Sequence, residues 1–367
     1  MNSLPSDAAR EIADHGLRWA RERYPLATHR ELARESDGVL AGSLWGEIRQ
    51  LGWTGLLVPE AQGGLGASLT QACGVAHVCG ASLLALPWLE HAVLAVTVLR
   101  QCAASSELAH AVDHRVAVAL HPSTCTARQA AGGWRLSGEA SAVEAPLGAT
   151  RLLAAARLEN DDALFVVESP AGGLHIQEGR GLDAHRIGRI RFDGLQLPPS
   201  ALLATGHDAR RAVQVGLDHA ALAACAEAAA LAGLALEHTL EHLRTRQQFG
   251  QPIGRFQALQ HRAADLFVAA RYAAAMAWGT IEQVDADPQA DHSAAIAAAK
   301  AEVLRNARAV LAGATQLHGG MGVVDELPIS HALKRVLALE ARYGDRLHQL
   351  ERVAQALAAR DVSPSPA

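Results

Sequence analysis

Residues 244–266 read Arg244-Thr-Arg-Gln-Gln-Phe-Gly-Gln-Pro-Ile-Gly-Arg-Phe-Gln-Ala-Leu-Gln-His-Arg-Ala-Ala-Asp-Leu266, a loop of distinctive chemistry running into an amphipathic helix. Arg246 offers a planar guanidinium suited to phosphate, Phe249-Gly250 turn the backbone, and Pro252 stops helix on that side. From Phe256 the apolar residues Phe256, Leu259, Ala263, Leu266 and Phe267 recur at helical spacing, with Gln257 and Arg262 off that stripe. The loop therefore joins two helices, and the chain around it is read in three parts.

Helical patterns dominate residues 1–112: Leu44, Ile48 and Leu51 share a face, and the pattern resumes over Thr70 to Val78 and Leu89 to Leu99. Residues 113–204 change to short runs, Val116 to Leu120, Arg151 to Ala156, Ala163 to Val167 and Arg189 to Phe192, separated by turns at Gly132-Gly133 and Gly172-Gly173. That spacing predicts a small antiparallel β domain. Pro198-Pro199 and Thr205-Gly206 mark a linker, and Ala-rich helix fills residues 205–367 as a bundle. Its breaks fall at Phe249 to Gly254, Asp285 to Pro288 and Gly319 to Gly322, and Pro328 is placed to start another helix.

The chain has 367 residues, 50% of them hydrophobic, which is enough for a large core and more than one domain. A net charge of −5 excludes a basic nucleic-acid footprint. The 5 cysteines form no Cys-x-x-Cys pair, which predicts reduced thiols in a cytosolic protein. The polar opening residues Asp7, Arg10, Glu11 and Asp14 predict no signal peptide, and Pro87, Glu90 and His91 make the apolar stretch Leu83 to Leu99 a core helix rather than a membrane span. His238-Thr-Leu-Glu-His242 has the His-x-x-Glu-His order of some zinc proteases, but no third ligand stands nearby, so solvated or satisfied core histidines are the better reading.

Two further segments are rich in glycine. Leu57-Val-Pro-Glu-Ala-Gln-Gly-Gly-Leu-Gly66 lacks the Gly-x-Gly-x-x-Gly spacing of a dinucleotide loop and reads as a turn. Gln316-Leu-His-Gly-Gly-Met-Gly322 ends a long helix, where glycines expose backbone amides and Gln316 can bond a polar ligand edge. Taken alone, that segment is better explained as a plain glycine cap.

Together the three segments resemble the FAD-dependent acyl-CoA dehydrogenases, with their Pro-Glu-x-x-Gly-Gly-x-Gly signature, their Arg-x-x-Phe-Gly loop and their Gln-x-x-Gly-Gly-x-Gly segment. The resemblance implies a mainly α fold: an N-terminal helical domain, a middle antiparallel β domain and a C-terminal four-helix bundle. It also implies that Arg246, Gln248, Phe249, Gln316, Gly319 and Gly320 reach the adenosine half of FAD held by a neighbouring subunit. Gln248 stands where the family often has threonine or serine. Asp218 matches a family aspartate that approaches the pantetheine of the acyl-CoA substrate.

Other family residues are missing. No Thr-Glu-x-x-x-Gly-Ser-Asp loop occurs at His121 to Ala130, and Ala142 and Glu144 replace the tryptophan and threonine of the family's Trp-x-Thr against the flavin ring. A glutamate facing the anionic side of a flavin would repel it. The family's base removes an α proton from within about 3 Å, and its two known positions hold Tyr343 and Ala221 here. A phenol with an ordinary pKa of about 10 is a poor base at pH 7. Asp345, Glu340 and Glu227 are the carboxylates left as substitutes, each more readily explained as a solvated or helix-pairing group.

What would serve a neighbour's FAD is kept, and what would serve the chain's own is not. The pattern resembles the partner chains of bacterial heteromeric acyl-CoA dehydrogenases known from steroid side-chain degradation. It implies a cytoplasmic heterotetramer with a paralogous subunit, an acyl-CoA thioester as substrate, FAD shared across the interface, and an electron-transfer flavoprotein as acceptor. Two alternatives are a self-sufficient dehydrogenase or flavin monooxygenase with an unusual site, and a non-catalytic acyl-CoA-binding scaffold.

Overall fold

The computed structural model describes residues 6–36, 38–120 and 124–361. They form two compact units, one of the described residues in 6–34, 69–85 and 221–361, the other of those in 35–68 and 86–220.

The first unit is helical. It contains α1 (Asp7–Arg23), α2 (Leu26–Leu32), α4 (Leu69–Ser82) and the carboxy-terminal helices α8 (Gln257–Ala286), α9 (Ser293–His318), α10 (Pro328–Ala341) and α11 (Arg346–Asp361). The 40-residue α7 (Gly206–Thr245) joins this unit from Ala221 onward. Alanine is the main residue at the buried positions of α7, α8 and α9, and it unites high helix propensity with a small side chain that lets helices approach. At Gly80 a Cβ would stand 2.3 Å from the Glu227 carbonyl, so α4 and α7 meet backbone to side. Asp285, at the end of α8, accepts the Leu69 and Thr70 amides at 3.1 and 2.8 Å and so caps the start of α4. By length and composition α7 could cross a membrane, but 83% of its apolar window is buried within the protein, as expected of a core helix.

The second unit carries the sheet, with strand order β6-β7-β3-β2-β4-β5-β8 and β1 paired to β4. Its strands are β1 (Val116–Ala119), β2 (Thr126–Ala130), β3 (Gly133–Glu144), β4 (Arg151–Leu158), β5 (Asp161–Glu168), β6 (Leu174–Arg180), β7 (Arg186–Leu197) and β8 (Leu202–Thr205). Neighbours run antiparallel except that β4 pairs in parallel with β1 and β2. Burial alternates along β7, placing Ile190, Phe192, Leu195 and Leu197 in the core beside Leu136, Leu152 and Phe165. Helices α3 (Val39–Gln50), α5 (Val96–Gln101), α6 (Ser105–Asp113) and α7 up to Ala220 belong to this unit. Of the stretch Leu83 to Leu99 expected as one core helix, residues 83–87 are not helical and helix begins only at Trp88, with Leu89–Ala95 winding as a π-helix. Within it, the buried His91 accepts the Val116 amide on Nδ1 at 3.0 Å and so ties the first strand to the helix.

Candidate functional site

The arginine loop is a tight hairpin. Arg246 follows α7, its amide donating to the His242 carbonyl at 2.9 Å, and β9 (Gln247–Gln248) then pairs with β10 (Gln251–Pro252). Phe249 and Gly250 form the turn with φ of 53° and 77°, the left-handed pair that a two-residue hairpin needs. For phenylalanine that conformation costs energy, and hydrophobic burial does not repay it, because Phe249 is 90% exposed. Its ring stands edge-on to Phe256 at 6.0 Å. Arg246 and Gln248 are also exposed, and among the described residues the Arg246 guanidinium has no ion-pair partner.

The glycine segment caps α9. Gly319 adopts φ 60° and ψ −137°, a region that in practice only glycine occupies, and donates its amide to the Gln316 carbonyl. Around Gly319 and Gly320 a Cβ would meet nothing within 4 Å, whereas at Gly322 it would stand 2.4 Å from the Thr315 carbonyl. The first two glycines therefore leave open approach to the backbone, and the third permits packing. Gln316 is exposed beside them.

Folding joins these two motifs, distant in sequence. The His242 ring, one turn before Arg246, stacks on the His318 ring with centroids 4.4 Å apart and planes 23° from parallel. Arg246, Gln248, Phe249, Gln316, Gly319 and Gly320 thus belong to one end of the bundle. A guanidinium without an ion pair, an outward aromatic ring and open glycine backbone fit the adenosine diphosphate half of a dinucleotide. The histidine stack was not legible as a contact. Its sequence signals were the i, i+4 spacing of His238 and His242 and the position of His318 against Gly319.

Neither Tyr343 nor Ala221, where the resemblance puts the base, is a carboxylate. Tyr343 sits half-buried between α10 and α11 with φ 56°, followed by Gly344 at φ 85°, and Gln349 donates to the Tyr343 carbonyl at 2.8 Å. Ala221 is 1% exposed on α7. Each substitute carboxylate has a structural task. Glu227 holds Arg335 through contacts of 2.5 and 3.1 Å, Glu340 pairs with Arg308 at 3.3 Å, and Asp345 caps α11 by accepting the His348 amide at 2.9 Å.

In the sheet unit, Ala142 lies exposed on a β-bulge with φ 56°, where it offers neither a ring to stack nor a donor. His121, Pro122 and Ser123, which begin the stretch lacking the family loop, lie outside the described residues. The structure corrects the expectation for Glu144. Its side chain is buried, with the carboxylate 3.6 Å from His185 Nε2, and Asp183 lies 3.2 Å from Nδ1 of the same ring. Glu144 therefore turns into the interior of the unit. What this side lacks is a stacking and donating group. Asp218 is buried near the middle of α7 and accepts from Gln214 Nε2 at 3.0 Å.

A cavity of about 550 Å³ opens along the first turns of α7, from His207 to Gln214. Its floor is apolar, with Leu120, Cys125, Ala156 and Leu164, and its rim carries Arg157, Arg210 and Arg211. Asp161 and Asp162 engage Arg157 and Arg210, at 2.7 to 3.2 Å, while Arg211 has no ion pair among the described residues. No motif in the sequence marks this arginine rim.

Residues 6–106 match the family model for the acyl-CoA dehydrogenase N-terminal domain, and residues 210–358 match that for the acyl-CoA dehydrogenase C-terminal domain. Acyl-CoA dehydrogenase FadE27 of Mycobacterium tuberculosis is 28% identical over 335 residues, spanning 86% of this chain and 88% of the relative. Among solved structures, the ChsE4-ChsE5 complex from Mycobacterium tuberculosis superposes with a TM-score of 0.87 at 24% identity, covering 100% of both chains. A glutaryl-CoA dehydrogenase from Mycobacterium smegmatis in complex with FADH2 gives a TM-score of 0.86 at 19% identity over 97% of this chain and 96% of that one. At these identities the two structures show the fold.

Proposed function

We propose that this chain, which belongs to the acyl-CoA dehydrogenase family, is the completing subunit of a heteromeric FAD-dependent acyl-CoA dehydrogenase. Members of the family bind FAD. FAD, when bound, would supply the acceptor for the hydride of the β carbon, while a base of the partner would take the α proton. The observation that carries the proposal is the asymmetry of the site. The Arg246 loop and Gly319-Gly320 stand open for a dinucleotide, whereas Tyr343, Ala221 and Ala142 occupy the base and ring-stacking positions.

Arg246, Gln248, Phe249, Gln316, Gly319 and Gly320 would hold the adenosine diphosphate half of FAD whose ring lies in a paralogous partner, and that partner would supply the base. The similarity to the ChsE4-ChsE5 complex is consistent with such pairing. The arginine-rimmed cavity along α7 suits an acyl-CoA: its apolar floor would take the pantetheine arm and Arg211 a phosphate, while Asp218 lies one turn beyond its lining residue Gln214, from which it accepts a hydrogen bond. A cytoplasmic location and transfer of electrons to an electron-transfer flavoprotein complete the proposal.

The test is flavin absorbance and native mass of the purified chain, alone and after co-expression with a paralogous acyl-CoA dehydrogenase subunit. Little flavin alone and about one FAD per pair in a mixed tetramer are expected. Full occupancy in a homo-oligomer would overturn the proposal in favour of a self-sufficient enzyme. Tyr343→Phe should leave turnover of the mixed complex nearly unchanged, and loss of turnover would make the phenol part of the chemistry.

A further inference from the structure

The histidines at the end of the bundle have no part in the function above. His242 lies one turn before Arg246 and stacks on His318, which immediately precedes Gly319. The stack is thus the contact through which the arginine loop and the glycine cap hold one another. Nδ1 of His318 donates to the Ala314 carbonyl at 2.9 Å, which fixes the orientation of the ring against His242. His238 lies a further turn back on α7.

The charges around the pair are unequal. Burial pushes the His242 pKa below its ordinary value, and the His318 ring and the Arg246 guanidinium push it the same way. Burial and His318 also lower His238, opposed by Glu237. Where α8 reaches the last turns of α9 the contact is apolar, Leu266 against Gly313, and the cap Gly319–Val323 carries no charged residue. Without a ligand, a cationic imidazole here would face Arg246 with little to offset it.

Resting on the reading of this surface as a cofactor site, we propose that the His242–His318 stack couples binding of the cofactor's diphosphate to uptake of a proton: neutral when the site is empty, cationic when the diphosphate is held by the Arg246 loop and the Gly319-Gly320 backbone. The balance is simple. One solvent proton joins an imidazole nitrogen as the anion binds, with no covalent change. Because the bound anion favours the charged form of the His242 ring, that ring holds its proton more tightly in the complex than in the free protein. Affinity therefore rises as pH falls through the pKa of the bound ring and levels off below that of the free one, by at most about tenfold per pH unit for each proton taken up.

The experiment uses the complex of this chain with its paralogous partner and measures the FAD dissociation constant by flavin fluorescence between pH 6 and 8. Calorimetry in buffers of different ionisation heat counts the protons directly. Three- to tenfold tighter binding per unit of falling pH, with net proton uptake, is expected. His242→Phe and His318→Phe keep an aromatic stack without a titrating nitrogen and should flatten the slope. A flat wild-type profile without proton uptake would overturn the inference, whether or not the variants fold, and so would a slope unchanged in both variants. FAD binding at no pH is a different failure: it would remove the cofactor-site reading and the inference with it.

Discussion

Substituting Glu227 by glutamine separates a structural carboxylate from a chemical one. Glu227 and Arg335 are 1% and 5% exposed, and the carboxylate receives Arg335 Nε at 2.5 Å and a terminal guanidinium nitrogen at 3.1 Å. Glutamine keeps one acceptor oxygen but leaves the guanidinium buried beside a neutral partner. Breaking a buried pair from one side costs about 3–5 kcal/mol, and the remaining acceptor places Glu227→Gln near the lower end. With a urea dependence near 3 kcal/mol per molar for a chain of this size, the midpoint should fall by about 1 M. Replacing both residues by methionine removes the two charges together and should recover most of the loss. The assay is urea unfolding followed by tryptophan fluorescence for wild type, Glu227→Gln and the double methionine variant. An unchanged midpoint in Glu227→Gln, accompanied by loss of turnover in the mixed complex, would refute the structural assignment and make Glu227 a candidate base.

Three other outcomes follow from the site and the core. Arg246→Ala should weaken FAD binding to the mixed complex by about 10- to 100-fold, read from flavin content after gel filtration, because a charge-assisted phosphate contact is lost. Gly320→Ala should leave the unfolding midpoint unchanged, since nothing lies within 4 Å of the new methyl, while Gly322→Ala should lower it through contact with the Thr315 carbonyl. His91 is held neutral, burial lowering its pKa from 6.5 to about 4. Its stabilisation is complete above pH 6.5 and declines as pH falls toward 4, by about 3 kcal/mol in all. Urea midpoints measured from pH 7.5 to 4.5 should show that decline, and His91→Asn should reduce it.

Much of the fold was legible because its punctuation is local. Pro328, Asp285 to Pro288 and Gly319 to Gly322 end or begin helices through their own backbone preferences, and α8, α9 and α10 begin and end there. Runs rich in branched and aromatic residues gave β1, β4, β5 and β7 a recognisable pattern. β2 and β3 were not legible as strands, since Thr126 to Ala130 and Ser137 to Ala142 are mostly small or polar, and pairing with their neighbours makes them extended. The π-helical winding at Leu89–Ala95 likewise has no signature in a stretch whose residues suit an ordinary helix.

At the site, the sequence by itself determined which chemical groups are present: a guanidinium at 246, open glycines at 319 and 320, and no carboxylate at 221 or 343. Those statements depend on residue type and short-range spacing, which a linear chain displays. Tertiary structure alone decided what each group faces. It turned Glu144 inward to His185, committed Glu227 to Arg335, and set His242 on His318 across a long stretch of chain. Burial and partner choice depend on the packing of distant helices and strands, and they decide whether a carboxylate is a base or a brace and whether an imidazole can take up a proton.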